Sequence, residues 1–380
     1  MDEQEKKPNS GFKLLEKTKK KIRPLHIIVA AVLLLVIAAV IFLTTLPIPI
    51  AEWLSTKFAT SSNAGFPCSL SDYGSAKSVS VCSDYYIILT DSNVISVDKN
   101  GGVVNATSHG YADCVIKSSD HRFIVFNRKS TGYQIHNATK KLSDSSADGN
   151  IVTADIANDG TYAIVSDSNE VVVFNDEFEK IYKFKSAEKS IVDVDISGKG
   201  GRVAVASVNT QNGKIISTIQ AYKLNSEEAV TKFSFDGLAL DIEQNGSDII
   251  VIGDNKCAVY NSDGKIIGEF DYKGKVLSAI EKNSSNILLA ISDSVNSQQK
   301  TLYLLSTRAS VSAQISCDKS AKAYGIGAGV IYVLSDNLYA YNNDGKLTDS
   351  YELPPGASDF AVNGSSVVAV GYDQIDRLIK

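Results

Sequence analysis

The sequence predicts an all-β protein: a β-propeller of eight blades, with seven as the alternative, preceded by a single N-terminal transmembrane helix. Three observations carry that expectation. A hairpin pattern returns at intervals of about 36 to 48 residues from Asp98 to Asn342. One long apolar stretch stands near the N-terminus. Everything after it is short apolar, β-branched and Tyr-rich runs between Asn, Asp, Gly and Ser clusters, with no amphipathic helical period.

In chain order, residues 1–24 read as a cytoplasmic basic tail, 25–46 as a transmembrane helix, 47–64 as a linker and 65–380 as the propeller ectodomain. The span "LHIIVAAVLLLVIAAVIFLTTL" has no polar residue from Ile27 to Leu43. At 1.5 Å per residue it covers roughly 30 Å, the thickness of a bilayer core. Its exit, "PIPIAEW", lacks the small-residue pattern of a signal-peptidase site, so the anchor is expected to stay uncleaved. Lys17, Lys19, Lys20, Lys21 and Arg23 precede the span, and no basic residue follows until Lys57. That asymmetry places the tail in the cytoplasm and the rest outside the cell membrane. Trp53, the only Trp, suits a membrane interface or a plain linker equally.

The repeat sets the blade count. Equivalent hairpins hold Asp98, Asn137, Asn175, Lys223, Asn261, Ser306 and Asn342. The best copies are "YNSDGK", Tyr260–Lys265, and "YNNDGK", Tyr341–Lys346. Before several of them, two apolar strands meet at a turn with Asp91, Asp167, Asp254 or Asp336. Adding the short strand that precedes each pair gives four strands in about 40 residues, the period of a propeller blade. Blades are expected to begin near Lys77, Ala112, Ile151, Ile191, Ala239, Val276, Ala321 and Ala357. The eighth ends after three strands. "GFPCSLS", Gly65–Ser71, is the orphan strand expected to complete it and close the ring, which removes free sheet edges.

These features resemble an uncharacterised, clostridial-type family of single-pass membrane proteins with a propeller ectodomain and no assigned function. The marks are the basic segment before the anchor, "GFPC" at Gly65–Cys68, the "DGK" turns at Asp263–Lys265 and Asp344–Lys346, and "GYDQIDRL" at Gly371–Leu378. The resemblance covers nearly the whole chain after Lys17. It implies architecture and location and no reaction. More distantly the ectodomain is similar to quinoprotein-like and WD40-like propellers, though it lacks Trp-Asp dipeptides and has no Trp in any blade.

Chemistry leaves few marks. The net charge is −5 and no basic block suggests nucleic acid. The five cysteines, Cys68, Cys82, Cys114, Cys257 and Cys317, contain no C-x-x-C; buried thiols are expected, with a Cys68–Cys82 bridge as the alternative. His109, His121 and His136 read as solvated residues in or beside turns. "DVDISGKGG", Asp193–Gly201, imitates a calcium loop but has Ala204 where a bidentate Glu belongs. It reads as a strand entering a turn. No metal site, cofactor or catalytic residue is expected.

One constellation survives. Asp113, Asp155, Asp193, Asp195, Asp241 and Asp359 fall on the expected first strands, which line a propeller's channel. They could converge to attract a cation or a basic partner. The plainer reading is that each caps a turn or accepts local backbone N–H bonds. The expected function is a protein-binding or scaffolding module at the cell envelope, reached through the membrane anchor, with an unidentified envelope protein as partner. A small-ligand or cation sensor using the channel acids is the alternative, and an enzyme acting on envelope polymers is a third reading.

Overall fold

The computed structural model describes residues 24–61, 65–186, 190–198, 201–317 and 320–380. The basic tail lies outside them except for Pro24. The chain forms two compact units, Met1–Leu46 and Pro47–Lys380. In the first, Pro24–Thr45 is a single 22-residue helix, α1, apolar on every side. Its described side chains are those of residues 28–41 and Thr45. Among the described residues no helix is long and apolar enough to cross a membrane.

The second unit is built of eight four-stranded antiparallel sheets, each a blade. Their first strands are Ala76–Cys82, Cys114–Ser118, Ile151–Ile156, Ile191–Ser197, Ala239–Asn245, Val276–Lys282, Ala323–Gly327 and Asp359–Asn363. Each begins within two residues of the position expected from the repeat. These strands are innermost and neighbour one another around the channel. Eight blades, rather than seven, is the observed number.

Closure uses the orphan strand. Cys68–Ser69 is the outermost strand of the eighth sheet, with Cys68 opposite Ile375 and Ser69 opposite Gln374. The Leu70 N–H extends the pairing by donating to the Asp373 carbonyl at 2.7 Å. Val368, Val370 and Ile375 of blade 8 share a core with Tyr86, Ile88 and Ile95 of blade 1. The other seams are built alike. Ile124, Phe126 and Tyr133 of blade 2, for example, pack with Tyr162, Ile164 and Phe174 of blade 3. Middle strands are covered on both faces, so Tyr162–Ser166 is buried throughout. That is why they read as continuous apolar runs rather than alternating ones. Blade 8 approaches blade 7 so closely that a Cβ on Gly327 would collide with Val362 Cγ1.

Copies of the recurring hairpin with Asn or Asp at the repeated position share one physical basis. In "YNSDGK" the Asn261 side-chain oxygen accepts the N–H groups of Asp263 at 3.1 Å and Lys265 at 2.9 Å. Gly264 takes φ +74°, a region open to Gly without steric cost. Asn342 does the same for Asp344 and Lys346, Asn175 for Glu177 and Glu179, and Asp98 for Asn100 and Gly102. The repeated letter is therefore an acceptor that folds the turn.

Two expectations change. Within the stretch expected to be a linker, Ile50–Lys57 is a helix, α2, docked on the propeller. His109 and His136 are buried rather than solvated. His136 stacks on Phe123 with ring centroids 5.1 Å apart, and burial pushes its pKa down to about 3. All five cysteines are free, so Cys68 and Cys82 form no bridge.

Candidate functional site

The channel is built from the first strands, and five of the six expected acids stand on them. Their carboxylates reach across to the following blade. Asp155 accepts the Ile196 N–H at 3.0 Å, and Asp193 accepts the Ile242 N–H at 2.9 Å. Asp195 accepts both the backbone N–H and the side-chain Nε2 of Gln244, each at 3.0 Å. Asp359 hydrogen-bonds the Val79 amide of blade 1 across the closing seam. Asp241 instead meets Lys282 Nζ at 2.5 Å, and Lys282 also contacts Glu243 at 3.2 Å. That ion pair crosses between blades 5 and 6, whose inner strands pack against each other less closely than the other neighbouring pairs. Asp113 is the exception. It lies just ahead of its strand, exposed, beside Arg128 at 3.3 Å, and takes no part in the channel.

Burial governs the charge of these groups. It raises Asp193 to about 7, with the Asp241 charge adding to it. It raises Asp195 to about 8, reinforced by Asp155. Asp155 and Asp359 also move up from the ordinary carboxylate range for the same first reason. Glu281, which the sequence reading did not single out, is raised to about 7 by burial and then by Asp359. Burial opposes the charge on Lys282, yet Asp241 and Glu243 outweigh it and hold its pKa above that of ordinary lysine. The chemistry is that of an inter-blade clasp, in which an acid on one inner strand holds an amide or an ammonium on the next. Among the described residues no group of three or more His, Cys, Asp or Glu is placed to hold a metal ion.

The two channel mouths differ. One face carries the turns that follow first and third strands, and α2 docks there. Glu52 of α2 accepts from Arg122 Nε at 2.9 Å and Nη2 at 2.5 Å, while Arg122 Nη1 donates to the Asp176 carbonyl at 2.8 Å. Both side chains are buried, at 3% exposure for Arg122 and 8% for Glu52. Asn137 Nδ2 donates to the same carboxylate, and the Tyr85 hydroxyl donates to the Thr56 carbonyl. A cavity of about 460 Å³ opens on this face, lined in part by Val81, Asp120, Asn283 and Val362.

On the opposite face, five inner strands begin with the same irregularity. A β-bulge inserts Lys77, Val152, Val192, Leu240 and Ser278 in blades 1, 3, 4, 5 and 6. A bulge re-aims the extra side chain. Val152 and Leu240 are exposed although Ile151 and Ala239 beside them are buried. Three consecutive blades thus carry Val152, Val192 and Leu240 at one position of the channel rim. The same face bears the longest hairpin, Arg202–Gln211 with Lys214–Lys223, and the exposed Ile215, Val295 and Tyr372. Beside Val152 lies a cavity of about 280 Å³ with Arg128, Lys129 and Asp167 in its wall.

Eight closed blades around a channel place the molecule among β-propellers, and solved structures agree. It is similar to the C-terminal WD40 domain of Sif2, with a TM-score of 0.58 at 12% identity over 83% of this chain and 99% of that one. BamB from Moraxella catarrhalis matches with a TM-score of 0.53 at 9% identity, covering 84% and 97% of the two chains. KlAtg21, in complex with the coiled coil of AgAtg16, matches with a TM-score of 0.53 at 12% identity, over 74% and 100%. At such identities the likeness concerns the fold. The chain belongs to the family of unknown function DUF5711, which matches residues 68–376. No curated protein matches it by sequence.

Proposed function

We propose that this chain is a membrane-anchored, extracytoplasmic propeller that binds a protein partner at the cell envelope, without catalysis, through the face opposite α2. The observation that carries the reading is the apolar rim of that face: Val152 and Leu240, exposed by bulges in the inner strands, with Ile215, Val295 and Tyr372 beyond them. Exposed apolar groups gathered on one face mark interaction surfaces. The solved complex of KlAtg21 with a coiled coil supports the idea that a fold of this shape can serve such a role. The anchor rests on the uninterrupted apolar run Ile27–Leu43 and the basic residues before it.

In-cell photocrosslinking tests the proposal. A crosslinker at Leu240 or Tyr372 should trap one discrete protein, and a crosslinker at Ile181, on an outer strand, should not. Equal trapping at all three positions counts against it. The alternative, a cation or small-ligand sensor using the channel acids, would need carboxylates that already bond amides to exchange those partners. It predicts a melting temperature that rises with calcium or another added ligand.

A further inference from the structure

The side of α2 turned away from the propeller is apolar. Ile50, Leu54 and Phe58 follow one another at intervals of four residues and are all exposed, Phe58 to 74%. Ile50 and Leu54 share one helix face, and Phe58 is the exposed C-cap that follows them. The opposite face is fixed. Glu52 is held by Arg122, Thr56 is buried with its carbonyl accepting from Tyr85, and Lys57 reaches Asp84 at 3.1 Å. With those bonds in place the apolar stripe cannot turn inward. Only Leu46–Pro49 separate this helix in sequence from α1, whose apolar run is the proposed anchor.

We propose that Ile50, Leu54 and Phe58 rest in the headgroup boundary of the bilayer, so that α2 is an interfacial helix seating its face of the propeller on the membrane. The inference rests on the anchored reading and goes beyond it, since an anchor alone would leave the ectodomain free to tumble on a tether. Physical chemistry favours lipid as the occupant. An apolar stripe a few residues from a membrane helix is kept at high local concentration with the interface. Burying part of an apolar helix face in the headgroup region is the usual way such segments bind. Trp53, half-buried, lies on the docked side instead, in the wall of a cavity with Thr56, Tyr85 and His121. The Glu52–Arg122 pair then transmits the seating to blade 2, and through the Asp176 carbonyl to blade 3.

The test uses the full-length chain reconstituted into phosphatidylcholine–phosphatidylglycerol vesicles, with its single Trp moved onto the stripe (Trp53→Phe with Phe58→Trp). Shallow spin-labelled lipids should quench position 58 more strongly than deep ones. Adding Ile50→Ser and Leu54→Ser should abolish most of that quenching while the melting temperature stays the same. Extraction with alkaline carbonate is run in parallel. Protein that resists extraction but shows no quenching overturns the interfacial helix and leaves the anchor standing. Protein that is extracted yet quenched when vesicles are added supports the helix and overturns the anchor. Protein that is both extracted and unquenched overturns both.

Discussion

Arg122 makes its charged contacts inside a seam, and at that scale the molecule shows which bonds matter. Removing one partner of a buried ion pair leaves the other charge uncompensated and costs about 3–5 kcal/mol. Glu52→Ala should therefore lower the unfolding free energy by about that amount in urea titrations of the detergent-solubilised chain. Lys57→Ala removes a pair whose side chains are more than half exposed, and should cost less than about 1 kcal/mol. Equal losses would mean that α2 is not latched through Arg122. The channel acids give a pH signature. Asp195, raised to about 8, holds its proton in the fold, whereas an unfolded Asp loses it near 3.9. Its contribution is full below about pH 4 and is lost as pH rises through about 8. His136, lowered to about 3, acts in the other sense. Its contribution is full above about pH 6.5 and is lost as pH falls through about 3. Between pH 6.5 and 8.5 the carboxylates act with little opposition from His136. The melting temperature should fall across that window, and Asp195→Asn should flatten the slope. A slope unchanged by the substitution would remove Asp195 from the clasp.

Elements show what local sequence can and cannot announce. The third-turn hairpins were legible because the whole device sits within five residues: an acceptor at Asn261, donors two and four residues on, and Gly264 at positive φ. Asn261→Ala deletes both acceptor bonds and should cost about 1–2 kcal/mol by thermal or chemical unfolding, at the usual value per hydrogen bond. No change would show that the turn is held by the strands alone. The positions of the acids were legible for the same local reason, but their role was not. Asp155 meets its amide 41 residues away and Asp195 meets Gln244 49 residues away. Glu281 and Lys282 were missed because nothing in their own strand shows that Asp359 and Asp241 face them. The rim bulges escaped too, since a bulge is a mismatch of register between two strands. Helix α2 was hidden by its two turns of length, by the prolines just before it and by a latch 70 residues distant. The buried state of His136 depended on Phe123 of the neighbouring strand, which the turn sequence around His136 does not disclose.

At the scale of the whole molecule, the ring is one object closed by a two-residue strand. A chain lacking Cys68–Ser69 exposes the edge at Gln374 and Ile375 and opens the seam between blades 8 and 1. It should melt earlier and associate through the free edge, as differential scanning calorimetry and light scattering would report. A closed ring also divides the surface into two faces. Here one face carries α2 and the other carries the bulged rim. The bulged rim is the face proposed to bind a protein. The most direct measurement is the affinity of the crosslinked partner for the purified chain bearing Val152→Asp and Leu240→Asp, compared with a control bearing Ile181→Asp and Ile266→Asp on outer strands. The rim variant should bind at least about tenfold more weakly, as expected for loss of central apolar contacts, with the control unchanged. Equal affinity for the two variants would contradict binding at the rim.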